Sequence, residues 1–366
     1  MKHDILKILN KVTLIIERSN KVERANTKLI KKMNKNLVRN CFKNEIDSTA
    51  ANLSKKTGLS VVTVNGILKE MVNSKEIFLG KSIPSNGGRP SIVYQYNTMY
   101  RCSVIILGFT RKNINYIKVL VTNLLGNCIY SEENKFENIN DNSFDKILDT
   151  LFKKYPTIEV ISFGLPGVEV NDVITINDYP NIVGDTFLKH YKDRYKVPVI
   201  FINDINAAVN GYYHNKLDDN YDQTIVGLVF NKIHLPGSGI VINGDIHIGK
   251  SNFTGEFAYM PIGIDWLKIN YDDIEETSEA IGKVIAIMSC IIAPEHFVIY
   301  GDFFKSDSVI KIKEKAEKML QNQFEINLII SNDFEEDYEL GMIKASLEVL
   351  NKNENMININ KYKGYE

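Results

Sequence analysis

The chain has 366 residues, of which 44% are hydrophobic and 24% charged, with a formal net charge of −1. That length suits two or three domains rather than one small core, and the composition is that of an ordinary globular protein. The apolar run Val284–Ala293 covers ten residues, too short to span a bilayer, which takes about 20. Lys2 and His3 lead into a stretch without a small-residue cleavage site, so no secretory signal is expected. The four cysteines (Cys41, Cys102, Cys128 and Cys290) lie far apart and form no C-x-x-C pair. This spacing points to a reducing cytoplasm and away from a cysteine-rich metal site.

The near-neutral total hides an asymmetry. Residues 27–97 carry +8, residues 1–26 carry +3, and residues 98–366 carry −12. A basic module on an acidic body fits a nucleic-acid-binding head joined to a domain of another kind, and fits equally a merely solvated basic face.

In chain order, Ile5–Ile16 is an amphipathic segment within an N-terminal extension (residues 1–26) that either extends the head or adds a dimer contact. Residues 27–45 place Leu29, Ile30, Met33, Leu37, Val38, Cys41 and Phe42 at helical spacing with basic residues between. Asp47 and Ser48 are candidate caps for a second helix that runs through Ser54–Thr57 and ends at Gly58. Ser60 is a candidate N-cap for a third helix from Val61 to about Ser74. Two short helices around T-G-L-S, the second amphipathic, make a helix-turn-helix with Ala50, Leu53, Leu59, Val64, Ile67, Leu68 and Met71 in its core.

Strands at Ile77–Lys81 and Ser91–Tyr96 flank I-P-S-N-G-G-R-P, a loop by its Gly and Pro content. The whole of residues 27–97 then reads as a winged helix-turn-helix, whose duty is DNA binding or, alternatively, protein docking. On the DNA reading Ser60, Val62, Thr63, Asn65 and Lys69 face the duplex. Asn65 suits a bidentate contact with adenine, and Lys28, Lys31, Lys32 and Lys69 suit phosphates. Arg89, between Gly88 and Pro90, suits a narrow minor groove.

From about residue 101 strands alternate with helices. Cys102–Gly108, Tyr116–Thr122, Ile158–Gly164 and Val197–Ile202 read as strands, and Ser143–Lys154 and Gly184–Tyr195 as helices. Such alternation means an α/β sheet, with ligands at the carboxyl ends of its strands. Turns sit at two such ends, G-L-P-G at 164–167 and F-I-N-D-I-N-A-A at 201–208.

Six fragments in order carry a resemblance: the helix-turn-helix with its G-G-R-P wing, G-L-P-G, N-D-Y-P-N-I-V-G at 177–184, V-P-V-I-F-I-N-D-I-N-A-A at 197–208, G-S-G-I-V-I-N-G-D-I-H-I-G at 237–249 and G-E-F-A-Y-M-P at 255–261. From about Asn26 to Val349 the chain resembles the ROK family of repressors, open reading frames and kinases. The resemblance implies a two-lobed, actin-like ATPase (ribonuclease H-like) sugar-kinase fold. Its lobes would be residues 101–205 and 206–366, with the C-terminal helix returning to the first. It also implies a sugar site between the lobes. Asp204 matches the base that deprotonates a sugar hydroxyl in the family's kinases, and Asn203, Asn181 and Glu256 match further sugar contacts. Tyr259 stands where the family has a histidine and keeps a hydroxyl to donate. Each residue has a plainer reading: Asn203 and Asp204 as caps of a helix starting near Ala207, Glu256 as a surface acid, Asn181 as a turn residue.

The kinase machinery is not legible. Where the family's catalytic members have Asp-x-Gly-Gly-Thr, this chain has L-G-F-T-R-K-N at 107–113, and residues 101–131 contain no Asp or Glu. Gly237-Ser238-Gly239 persists, but Ile299-Tyr300-Gly301-Asp302 keeps one glycine of a pair near the adenosine. Between Tyr259 and Met288 there is neither Cys nor His, so the family's zinc element is absent and no metal is expected. The expectation is a homodimeric, sugar-sensing repressor that is not an enzyme and needs no cofactor, with operator DNA and a monosaccharide or derivative as partners and no membrane role. Two rivals stand beside it: a body that serves only dimerisation or docking, and an active sugar kinase with a DNA-binding head.

Overall fold

A computed structural model of the chain describes residues 29–83, 90–111, 114–177, 179–217, 223–232 and 234–352, and the expected N-terminal extension and Arg89 lie outside them. They form two units, residues 1–100 and 101–366. No helix among the described residues is long and apolar enough to cross a membrane.

In the first unit a helix through residues 29–44 (α1) is followed by β1 (Asp47–Thr49), α2 (Ala50–Thr57), α3 (Val61–Asn73), β2 (Ile77–Ile83) and β3 (Ser91–Tyr96). The strands pair antiparallel in the order β1-β3-β2. This is a winged-helix arrangement. Asp47 and Ser48 are strand rather than cap; Thr49 caps α2, its hydroxyl accepting from Asn52 N at 3.3 Å. Strand pairing to β3 holds the two preceding residues extended, so the first side chain free to cap belongs to Thr49. Gly58 ends α2 at φ 71°, a left-handed turn that a glycine adopts without steric cost. Ser60 caps α3, accepting from Thr63 N at 3.1 Å.

Val38, Phe42, Leu53, Val64, Ile67, Leu68, Met71, Ile77 and Tyr96 form the buried set of this unit. Leu29, Ile30, Met33 and Leu37, also periodic, are 46–59% exposed. One charged cluster is interior: Arg39 pairs with Glu76, which Lys35 also reaches at 2.8 Å. Burial pushes the Glu76 carboxyl up, but hydrogen bonds and charge from Arg39 and Lys35 outweigh it and hold the group below the usual glutamate range.

The body contains the same sequence of elements twice. Its first run is β4 (Cys102–Arg111), β5 (Ile114–Thr122), β6 (Cys128–Lys135), α4 (Asp145–Lys154), β7 (Ile158–Gly164), a hairpin β8 (Gly167–Val170) and β9 (Val173–Asn177), α5 (Thr186–Tyr195) and β10 (Val199–Ile202). Its second is β11 (Ile225–Val229), β12 (Gly237–Ile242), β13 (Asp245–Ile246), α7 (Ile274–Ile292), β14 (His296–Tyr300), α8 (Ser306–Met319) and β15 (Leu328–Ser331). The sheets run β10-β7-β4-β5-β6 and β13-β12-β11-β14-β15. In both, a three-stranded antiparallel meander is extended by two parallel strands through helical crossovers. β4 is buried on both faces: Val104 and Ile106 meet α4 and α5, while Ile105, Leu107 and Phe109 meet the core between the lobes. That two-sided burial accounts for its unbroken apolar run.

Each run closes with a helix that leaves for the other lobe. α6 (Asp204–Lys216) follows β10 yet packs on β11 and β12; α9 (Phe334–Lys352) follows β15 yet packs on β4 and β7. The two helices cross with their backbones almost touching. A Cβ on Gly211 would lie 1.8 Å from Asp337 O, and one on Gly341 would lie 1.8 Å from Ala207 O. Asp337, fully buried, accepts from Tyr300 Oη at 3.0 Å and Ser331 Oγ at 3.3 Å, which fixes the start of α9 in the second lobe. Ser346 Oγ to Ser162 Oγ, 2.8 Å, fixes the rest on the first.

Because the helices have no room to separate without moving a lobe, Gly341→Ala is expected to destabilise the body by about 3 kcal/mol or more, read as a lowered urea midpoint in full-length protein. An unchanged midpoint would show that the crossing relaxes freely.

Candidate functional site

Two surfaces have the chemistry of a site, one in each unit. On α3, Val64, Ile67, Leu68 and Met71 turn inward. The opposite face, at i, i+3, i+4 and i+7, is Val62, Asn65, Gly66 and Lys69, all exposed, with Val62 82% so. Ser60 and Thr63 stand at the start of the same helix, their hydroxyls 2.9 Å apart. Ser60 is thus occupied by capping, while Asn65 and Lys69 have no recorded partner. A Cβ on Gly66 would meet nothing within 4 Å. Three of the four acids in residues 27–97 are spent inside the unit: Glu45 on Lys56 at 2.6 Å, Glu70 on Lys31, and Glu76 on Arg39 and Lys35. Lys31 therefore bridges α1 to α3, whereas Lys28 lies outside the described residues.

In the body a cavity of about 40 Å³ lies between the lobes. Its walls come from β8, the end of β10 with the first turn of α6, β12 and the loop after β13. Asn203 and Glu256 line it. Asn203 is also the N-cap of α6, which begins at Asp204 rather than near Ala207: its Oδ1 accepts from Asn206 N at 3.1 Å and its Nδ2 donates to Gly167 O at 3.1 Å. Asp204 is not among the lining residues; its charge, after burial, helps to push up the phenol of the buried Tyr338. Asn181, in a 3-10 turn at Pro180–Ile182, is exposed, and Tyr259 is 59% exposed against Phe253. The structure thus brings Asn203 and Glu256 together and leaves Asn181, Asp204 and Tyr259 outside the cavity walls.

Other polar residues complete the cavity. Asn206 and Asn252 line it, and each has a buried Oδ1 without a hydrogen-bond partner. Asn252 Nδ2 donates across to Glu169 O, joining the lobes. Ser238 donates from both N and Oγ to Gly255 O at 2.9 Å. Buried acceptors without donors are rare in folded chains because each costs about 1–3 kcal/mol. Here both belong to residues that line one cavity. Asn206 was visible as the second asparagine of N-D-I-N; Asn252 and Ser238 have no local signal beyond their Gly-rich surroundings.

At the carboxyl end of β4 the chain forms a continuous hairpin with β5. The Arg111 guanidinium lies 4.4 Å from the Phe109 ring centroid and pairs with Glu133 at 2.7 Å and with Glu335 of α9. Tyr338 is packed against Gly164 and Gly108, its hydroxyl 2.6 Å from where a Gly164 Cβ would stand. Among the described residues no group of three or more His, Cys, Asp or Glu is arranged to hold a metal.

A duplicated βββαβαβ body with exchanged closing helices and a polar cavity between lobes defines the class: a two-lobed, actin-like sugar-kinase fold, preceded in the chain by a winged helix. Residues 114–267 match the model of the ROK family. It is 26% identical over 247 residues to the xylose repressor of Bacillus subtilis (strain 168), covering 65% of this chain and 62% of that one. Against a putative xylose repressor of Caldicellulosiruptor sp. (strain Rt8B.4) it is 27% identical over 251 residues, 65% of this chain and 60% of the relative. The match therefore spans less than two thirds of these relatives. Its fold resembles that of a ROK family transcriptional regulator described as a homolog of the E. coli MLC protein, with TM-score 0.57, 15% identity, and 87% of this chain and 99% of that chain covered. It also resembles a ROK hexokinase from Thermus thermophilus, with TM-score 0.55, 17% identity and 68% and 99% covered.

Burial alone pushes the Glu256 carboxyl above its usual range. A raised folded-state value means that ionisation costs stability, a penalty absent below the unfolded value of 4.5 and growing as pH rises through the folded one. Glu256→Gln is therefore expected to stabilise the empty protein at pH 7.5 and to lose that advantage toward pH 4.5 in denaturant titrations. A pH-independent difference would mean that the carboxylate is solvated.

Proposed function

We propose that the chain is a sugar-responsive transcriptional repressor: a homodimer whose heads bind the two halves of an operator and whose bodies bind a monosaccharide or derivative. The observation that carries the DNA half is the open face of α3. Glycine inside an exposed helix costs about 1 kcal/mol relative to alanine, and at Gly66 nothing in the described chain requires it. A partner approaching the helix backbone does. Val62 beside it is suited to a thymine methyl, Asn65 to an adenine edge and Lys69 to a phosphate. Ser60 and Thr63 border the same face, and Arg89 would extend the contact from the wing.

The sugar half is supported by the unpartnered acceptors of Asn206 and Asn252 beside Asn203 and Glu256. Asn181, Asp204 and Tyr259 belong to this proposal as the residues that lobe movement would bring to the ligand. At about 40 Å³ the cavity holds a few waters, so a sugar enters an opened form and selects a different lobe arrangement. A ligand shifts operator affinity only by preferring one arrangement over another. The names of the related repressors make D-xylose the first sugar to test. The body is proposed to be non-catalytic: phosphoryl transfer rests on positioning and charge neutralisation, whereas β4 carries no Asp or Glu of its own, and the neighbouring Glu133 and Glu335 are paired with Arg111. An ATP-turnover assay with a sugar panel should show no sugar-dependent rate; a sugar-dependent rate would reinstate the kinase reading.

The decisive measurement is fluorescence anisotropy of DNA from upstream of the gene, at fixed salt, with D-xylose and other monosaccharides. Salt is held constant because phosphate contacts make affinity strongly salt-dependent. Gly66→Ala is expected to stabilise the protein by about 1 kcal/mol and to weaken operator binding at least about tenfold, or about 1.4 kcal/mol. Full operator affinity in this variant would remove α3 from the interface. Specific DNA binding that no sugar alters would leave the body as a dimerisation or docking scaffold.

A further inference from the structure

Phe253 and Tyr259 are large aromatic side chains that the fold leaves outside: they are 57% and 59% exposed, and their ring centroids lie 6.0 Å apart at an interplanar angle of 35°. They interleave with cavity residues along one loop, for Asn252, Thr254 and Glu256 line the cavity and Phe253 and Tyr259 flank them outside it. The loop is firmly held. Gly255 lies so close to β12 that a Cβ would stand 2.0 Å from Ser238 O, and Asn252 is hydrogen-bonded to the opposite lobe at Glu169 O. Ser251 and Asn252 adopt φ 57° and 53° immediately before Phe253. Such backbone costs about 1–3 kcal/mol per residue and persists only where surrounding contacts enforce it. Here the contacts hold two hydrophobic rings in solvent on a loop that also walls a polar cavity.

We propose that Phe253 and Tyr259 form a stacking platform for a second ring, the next sugar or the aglycone of a glycoside whose first sugar occupies the cavity. This rests on the sugar-binding reading of the cavity. The electron-rich faces of aromatic rings attract the slightly positive C–H groups on the flat face of a pyranose. Rigid rings lose little conformational entropy on contact. The cavity supplies hydroxyl recognition through Asn203, Asn206, Asn252 and Glu256, and the platform supplies the apolar contact that a single buried sugar does not reach. The Tyr259 side chain then acts through its ring rather than its hydroxyl. The ligand class follows: a disaccharide or aryl glycoside is preferred over its free monosaccharide.

Isothermal titration of the full-length protein with D-xylose, xylobiose and p-nitrophenyl β-D-xyloside, and with D-glucose, cellobiose and p-nitrophenyl β-D-glucoside, tests this. In at least one series the two-ring ligand should bind at least tenfold tighter than its monosaccharide. Phe253→Ala should reduce that margin to less than threefold, leave any monosaccharide affinity within twofold, and melt within two degrees of the parent; Tyr259→Ala should reduce the margin to the same extent. Tyr259→Phe should keep the margin, and Asn206→Ala should weaken both ligand sizes together. Equal binding of both sizes, or a margin that survives both alanine variants, would overturn the platform while the cavity reading stands. Failure of every ligand to bind would overturn the cavity reading and the platform with it.

Discussion

The body depends on one crossing. α6 and α9 each leave the lobe in which their preceding strands lie, and they meet where Gly211 and Gly341 let backbone touch backbone. Two sheets of identical strand order are thereby joined through helices rather than through a shared sheet edge. Packed helix pairs of this kind move as rigid pieces, so relative motion of the lobes is concentrated at the crossing. Asp337 adds a buried polar anchor on one side, with Tyr300, Ser331 and Lys216 around it, and Ser346 adds another on the first sheet. Any ligand that changes lobe separation must act about this joint.

The cavity inherits its character from the same geometry. It opens where β10 hands the chain to α6, so the cap residue Asn203 and the first-turn residue Asn206 stand in its wall as a consequence of helix initiation. Capping consumes part of Asn203, while Asn206 and Asn252 keep acceptors in reserve. Beside the carboxyl end of β4, charge and aromatic packing prevail instead. Arg111 is stacked on Phe109 and tied to both β6 and α9, and Tyr338 fills the space above Gly164.

In the first unit the decisive arrangement is electrostatic. Glu45 and Glu70 are each paired with a lysine at the surface, and Glu76 is buried with Arg39, so three of the acids are matched by bases of the same unit. The buried Glu76 cluster joins α1 to the start of β2, and breaking such a cluster from one side typically costs about 3–5 kcal/mol. What α3 then shows to solvent is an apolar, amide and cationic face around a bare stretch of backbone. Such a face suits a polyanion with readable edges better than it suits an acidic or apolar partner.

Much of the fold was legible locally, because local chemistry decides it. Gly58 and Ser60 mark the helix-turn-helix by their capping geometry, and the two-sided burial of β4 appears as the apolar run from Val104 to Phe109. β6, C-I-Y-S-E-E-N-K, escaped notice because an edge strand half in solvent carries charges that mask alternation. The periodicity of α1 overstated its burial at Leu29, Ile30, Met33 and Leu37, since a pattern records which faces are apolar and not what covers them. The family resemblance pointed to the cleft-forming segments and to Asn181, Asn203, Asp204, Glu256 and Tyr259, of which Asn203 and Glu256 line the cavity. Only the tertiary structure decided that Asp204 stays outside the cavity walls, that Tyr259 lies by Phe253 outside the cavity, and that Asn206 and Asn252 line one cavity, each with an acceptor unfilled. Those outcomes depend on how α6, α9 and the loop after β13 pack across more than 40 residues of intervening chain, and no local pattern encodes a contact at that separation.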